Sequence, residues 1–230
     1  LMPMFQLASW AEDPEMRIRG QMMIDYILAD FAIDTLDGIY VGAHARTDDT
    51  QVLEKHNGLS SMFAWLFFNN TPRSRTSWSI YVAANAEYYR LPEVLYKIAN
   101  EREGPYLSRE LKRTRERWRN SDERFTRVYK TTYVHPDYAV GSDQGGLLQP
   151  IQQHSWDLTW AVDDPRGVHN TIFSLNPHYS DQELQMYFTE YAHFMAEAVN
   201  NQGKPTYTSG ETFLGGSPYE QVFQEDDVIF

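Results

Sequence analysis

Asp122-Glu-Arg-Phe-Thr-Arg-Val-Tyr-Lys-Thr-Thr-Tyr-Val134 is the stretch on which the reading of this chain turns. Before it, apolar residues recur at helical spacing. From Val128 onward, Val128, Lys130, Thr132 and Val134 alternate with Tyr129, Thr131 and Tyr133, which is the period of two that a strand requires. The switch predicts an α+β multidomain protein, with a helical unit over residues 1–124 and a β-rich unit over 125–230.

Upstream, a helix is expected over Pro14–Leu36. Asp13 serves as N-cap, Pro14 suits the first helical position, and Asp37-Gly38 ends it. Met16, Met23, Ile27 and Phe31 follow the helical period, and Met22, Ile24, Leu28 and Ile33 widen the apolar surface, so the helix should pack on several sides. A second helix is expected over Gly58–Phe68, stopped by Asn69-Asn70-Thr71-Pro72. Trp78–Arg90 fits helix or strand, Pro92–Glu101 a short helix, and Arg109–Arg119 a charged, exposed helix. Downstream, Gly141–Gly146 reads as a turn or loop. Gln152–Trp160 alternates with His154, Trp156, Leu158 and Trp160 on one face, and Asn170–Leu175 reads as a further strand. A helix returns at Ser180–Asn200, inserted in the β-rich unit, with Ser180 and Glu183 as a capping box. Gln221–Phe230 reads as a final strand. The ends, Leu1-Met-Pro-Met and Val228-Ile-Phe230, look cut, so the chain is expected to be a piece of a larger protein.

The 230 residues are 42% apolar, enough for a core, and 14% aromatic, with fifteen tyrosines and six tryptophans. The formal net charge of −12 argues against general nucleic-acid binding. It is unevenly spread: Arg109–Lys130 holds nine basic and four acidic residues, a stripe that could meet an anionic polymer or simply form a solvated face. The absence of cysteine excludes disulfides, thiolate metal sites and cysteine nucleophiles. It fits a secreted or periplasmic bacterial protein. No apolar run is long enough to span a bilayer.

Four clusters could carry chemistry. Tyr40, His44 and Arg46 lie in a glycine-containing loop after the long helix, where a histidine near neutral pH can take a proton and an arginine can grip a carboxylate. Asn85, Glu87, Tyr88, Tyr89 and Arg90 place amide, phenol and guanidinium groups together. Tyr133, His135, Asp137 and Tyr138 sit where Pro136 breaks a strand. His154, Trp156 and Trp160 offer an imidazole beside indole faces. Each also has a structural reading: a hydrogen-bonded loop, core tyrosines, a polar turn and packing between sheets. The seven histidines show no metal-ligand spacing, and no zinc, phosphate-loop or serine-hydrolase motif is present, so neither metal nor cofactor is expected.

The helical half, the β-rich half and the pieces Gly42-Ala-His-Ala-Arg46, Asn85–Arg90 and Gln153-His-Ser-Trp156 resemble polysaccharide lyases of the heparinase II/III and alginate lyase type. That family joins an incomplete (α/α) toroid to an antiparallel β-sandwich. Its Asn-His-Gly type sequence is absent here. The resemblance implies β-elimination on a uronate-containing polysaccharide or oligosaccharide. Tyr88 or Tyr89 would act as base or acid, with His44 or His154 as partner. Arg46, Arg90 or Asn85 would neutralise the carboxylate. Tyr40, Tyr133, His135, Tyr138 and Trp156 would line the polymer's path. The rivals are a glycoside hydrolase using two of Glu87, Glu93, Asp137 and Asp157, and a non-catalytic glycan-binding surface protein.

Overall fold

Helix α1 (Met2–Trp10) lies against the twenty-residue helix α2 (Pro14–Ile33) in a computed structural model that describes residues 1–45, 52–72, 77–112, 128–144, 153–163, 168–176 and 220–230. The two helices approach closely at Gly20, where a Cβ would come within 2.8 Å of the Ala8 backbone nitrogen. Asp13 caps α2 as expected, its carboxylate accepting from the Glu15 amide at 2.9 Å. The helix stops at Ile33, three residues before the expected end. Its last carbonyls are taken up by side chains from elsewhere: Arg102 donates to Ala32 O at 2.7 Å and to Thr35 O, and the Tyr106 hydroxyl donates to Ile33 O. These bonds satisfy acceptors a helix end leaves open.

Thr35–Leu36 then forms strand β1, paired with β2 (Ile39–Tyr40). The Asp37-Gly38 turn between them has positive φ at both positions, 50° and 75°, the geometry that two-residue hairpins favour. Next come β3 (His44–Ala45), a 3₁₀ turn at Lys55–Asn57, helix α3 (Leu59–Phe63), and one π-helical turn, Ala64–Phe68. Asn69, left-handed at φ 52°, ends that turn. The ambiguous stretch resolves as helix α4 (Trp78–Ala84) followed by a turn, and α5 spans Glu93–Asn100.

One apolar core joins these helices. Phe5, Ile24, Leu28, Phe31, Phe63, Phe68 and Tyr89 are all buried in it. Six strands form an antiparallel sheet: β3, β4 (Tyr106–Lys112), β5 (Val128–Val134), β6 (Tyr138–Gln144), β7 (Gln153–Ala161) and β8 (His169–Asn176). The order is β3-β7-β6-β5-β4, with β8 also on β7. The chain is thus a mixed α and β protein with five α-helices and one large antiparallel sheet among the described residues. Strands β3 and β4 precede residue 124 in sequence, yet both are hydrogen-bonded to strands that follow it.

Three expectations need correction. Arg109–Arg119 does not begin as a helix: Arg109–Lys112 belongs to β4, and residues 113–119 lie outside the described ones. Glu110 and Lys112 turn inward and find charged partners while Arg109 and Leu111 face solvent, so a strand can carry that much charge. Gly141 is not in a turn but in the middle of β6, where it lets the backbone of Gly42 approach; a Cβ there would sit 2.4 Å from Gly42 Cα. The expected final strand is a small hairpin of β9 (Gln224–Glu225) and β10 (Val228–Ile229), turned by Asp226 at φ 49°. The helix expected at Ser180–Asn200 lies outside the described residues. No helix among the described residues is long and apolar enough to cross a membrane.

Candidate functional site

A cavity of about 400 Å³ opens beside α2, the β2–β3 loop and α3. Ile27, Leu28, Phe31 and Phe63 supply apolar walls, and Asp30, Tyr40, His44 and Lys55 bring polar atoms to it. An apolar hollow with a few convergent polar groups is the usual form of a small-ligand or active site.

The loop that carries His44 is fixed by Gly42. Its φ of 82° and its contact with Gly141 and Thr132 leave no room for a side chain. The Gly42 amide donates to Asp157 Oδ1 at 2.9 Å, and Gly42 O lies 2.9 Å from His44 Nδ1. A carbonyl only accepts, so Nδ1 carries the hydrogen. The ring is held neutral: burial, then the nearby His154 ring and the Lys55 charge, push its pKa well below the ordinary histidine value. A neutral ring protonated at Nδ1 leaves Nε2 as a bare acceptor.

Behind His44 lies a second ring. His154, wholly buried, lies against it with centroids 4.4 Å apart and the rings tilted by 34°, and its Nε2 is 3.4 Å from Asp157 Oδ2. Neither His154 nitrogen makes a hydrogen bond among the described residues. Burial lowers its pKa, although Asp157 pulls the other way. Asp157 is itself completely buried and accepts from Lys55 Nζ at 2.5 Å. Burial pushes this carboxyl up, but the Lys55 charge and His154 outweigh it and hold Asp157 well below the carboxylate range. Lys55 also donates to Thr159 Oγ1 at 3.0 Å.

A second buried network meets the cavity through Tyr40 and Asp30. Lys130 pairs with Asp34 and donates to the Tyr40 hydroxyl at 2.7 Å. Burial opposes the Lys130 charge, but Tyr40 and Asp34 hold its pKa well above the usual lysine value. Burial, only partly offset by Lys130, pushes Tyr40 up to about 12, so its hydroxyl keeps its proton. Lys112 bridges Asp30 and Glu110, reaching Glu110 Oε2 at 2.6 Å. Burial and the hydrogen bond with Asp30 raise Glu110 to about 7. Oxygens of Asp30, Asp34 and Glu110 lie within 4.8 Å of one another, a spacing that could hold a cation. The Lys112 and Lys130 ammonium groups already sit among them and balance the charge.

The sequence-derived candidates therefore separate. Tyr40, His44 and His154 come together, joined across the sheet by the pairing of His44 with His154. Arg46 lies outside the described residues. Tyr89 is a core residue: its ring meets Phe5 and Phe67 edge-on, and its hydroxyl donates to Asp25 at 2.9 Å. Tyr88 is 60% exposed. Asn85 donates to Tyr81 O, and Arg90 donates to the carbonyls of Glu87 and Tyr89. Tyr133, His135 and Tyr138 cluster at the β5–β6 turn, His135 stacked on Tyr138 at 4.8 Å and the Tyr138 hydroxyl on Asp227 at 3.1 Å. A bulge between Gln153 and Trp156 shifts the alternation of β7. His154 thereby joins the buried face of Asp157 and Thr159, and Trp156, Leu158 and Trp160 share the other, half-buried face. The expected common face of His154 and Trp156 is thus corrected.

Sequence reasoning missed Lys55, Lys130 and Asp34 and gave Asp157 no special weight. Charged residues read as solvent-facing, and pairs separated by 102 and 96 positions leave no local pattern. The glycines at 42 and 141 were the available signal. Comparison with protein-family models, curated proteins and solved structures found no match.

Proposed function

We propose that this chain is a carbohydrate-active enzyme, a polysaccharide lyase that cleaves a uronate-containing glycan by β-elimination with His44 as base. The observation that carries the reading is the His44 tautomer on the wall of an apolar cavity: Nδ1 is bound to Gly42 O, which leaves Nε2 as the ring's acceptor. Nε2 takes the proton α to the uronate carboxylate, and the bond to the leaving glycosidic oxygen breaks. Tyr40 replaces the phenols of residues 88 and 89 as the acid. Lys130 donates to its oxygen, so the phenolic proton is free to pass to that leaving oxygen. Lys55, on the same wall, favours the developing negative charge. On this reading the helices belong to an (α/α) toroid and the sheet to a β-sandwich, and the protein acts outside the cytosol.

The hydrolase reading has less support. Glu87, Glu93 and Asp137 are exposed, and Asp157 is already committed to Lys55 and Gly42. The binding-protein reading is favoured by one observation: Lys55 and Tyr40 are already paired within the protein, as a non-catalytic pocket would have them.

The deciding assay incubates the protein with a panel of uronate polymers and follows ultraviolet absorbance for the unsaturated uronate. Absorbance should rise with one class of polymer, and His44→Gln should lower turnover about 10²- to 10⁴-fold, the range for loss of a general base. New reducing ends without absorbance would move the assignment to a hydrolase. Undiminished affinity in His44→Gln, with no product from either protein, would leave a binder.

A further inference from the structure

One buried carboxylate contacts Gly42, Lys55 and His154 at once and is not itself among the residues that line the cavity. Asp157 Oδ1 accepts from the Gly42 amide, Oδ2 accepts from Lys55, and His154 Nε2 lies 3.4 Å from Oδ2. Its side chain is fully buried, and it is not among the cavity's lining residues. The residue it grips on the loop is the same one whose carbonyl selects the His44 tautomer. Gly42 is also the residue that Gly141 and Thr132 press against from β6 and β5. Its backbone is therefore clamped from two sides, by packing and by a charge-assisted hydrogen bond of the stronger class.

We propose that Asp157 is the positioning residue of this site, holding the Gly42 amide so that the Gly42 carbonyl keeps His44 protonated at Nδ1, and holding Lys55 on the same cavity wall. Its catalytic consequence rests on the lyase reading, but its structural content does not. Loss of the oxygen that Gly42 donates to lets the loop rotate. The imidazole then loses its tautomer preference, because Nδ1 no longer faces a fixed acceptor.

Removing Asp157 alone would strand the buried Lys55 charge and strongly destabilise the protein, so the test uses paired variants of the full chain. Asp157→Asn with Lys55→Met keeps an oxygen for the Gly42 amide; Asp157→Ala with Lys55→Met removes it. Neither leaves a lone charge. Nitrogen-15 NMR of the His44 ring reads the tautomer. The Asn variant should keep the Nδ1-protonated form, and the Ala variant should give a mixture or the opposite form. Turnover should be about 10²-fold lower in the Ala variant than in the Asn variant, the scale for loss of alignment, with KM changed far less than kcat. The same tautomer in both variants overturns the proposal. Should neither variant fold, hydrogen exchange at the Gly42 amide of the unaltered protein decides. Protection equal to that of β7 amides supports the clamp, and exchange at the rate of an exposed loop overturns it. An absence of lyase activity alongside the expected tautomers would sink the enzymatic reading and leave this one standing.

Discussion

Tyr40 and Tyr89 bring the same phenol into opposite surroundings. Tyr89 fills the helical core, with its hydroxyl tied to Asp25. Tyr40 lines the cavity and receives a hydrogen bond from a buried ammonium group. Tyr89→Phe should therefore cost about 1 kcal/mol of stability, the usual net worth of one hydrogen bond, and leave turnover on uronate polymers unaltered. Tyr40→Phe should lower turnover and, by taking away an acceptor from Lys130, destabilise as well. Urea denaturation alongside the absorbance assay separates the two, and a Tyr89→Phe protein without activity would overturn this placement. Residue type was legible in the sequence and residue surroundings were not. A tyrosine next to asparagine and arginine reads as chemistry when only neighbours in sequence are visible. Two of its actual neighbours, Phe5 and Asp25, lie more than sixty positions away, and a third, Phe67, more than twenty.

At the scale of elements, the alternation at Val128–Val134 gave a true strand, and the capped helix after Asp13 was equally plain. Strand β4 was missed because Glu110 and Lys112 were taken for solvated charges, when each has a partner across the sheet or on α2. Two substitutions test the contacts that set these elements in place. Gly141→Ala drives a methyl group into the Gly42 backbone. It should cost about 1–3 kcal/mol, as overpacking usually does, read as a lower urea midpoint at constant slope. An unchanged midpoint would mean that the Gly42 loop does not rest on β6. Lys130→Met leaves Asp34 buried beside no cation and should cost about 3–5 kcal/mol. Adding Asp34→Leu should restore most of the loss in thermal unfolding, and failure to restore it would show that packing, rather than the lone charge, was responsible.

For the whole molecule, the buried groups set a pH profile that no single one of them reveals. Glu110, raised to about 7, and Asp143, raised to about 8 chiefly by burial, hold protons that the unfolded chain releases near 4.5 and 3.8. Their contribution is complete below those values and is lost as pH rises through 7 and 8. His44 and His154 are depressed below 6.5. The unfolded chain takes up protons that the folded rings refuse, so their contribution is present above 6.5 and is lost as pH falls. Between about 4.5 and 6.5 the two pairs oppose one another. Between 6.5 and 8 only the acids act, and stability should fall by roughly 2 kcal/mol. Urea midpoints across that range check this, and Asp143→Asn should remove most of the fall. In Glu110→Gln/Asp143→Asn the histidines are unopposed, and stability should drop below pH 6.5 by about 1.4 kcal/mol per pH unit for each ring. A flat profile in that variant would mean that the rings are not buried as described.

The hydrogen bond from Gly42 to Asp157 spans 115 positions, and that span sets a clock on synthesis. A ribosome adds about 5–20 residues per second, so roughly 6 to 23 s pass between polymerising the loop and polymerising the carboxylate that clamps it. Early in that interval every residue that lines the cavity, from Leu1 to Phe63, has been made, but the carboxylate behind the Gly42 loop has not. Lys55 waits for Asp157 and His44 for its pairing with His154, whereas Leu28, Phe31 and Phe63 belong to a core whose last member is Ala99. The polar backing of the site is therefore completed well after its apolar walls.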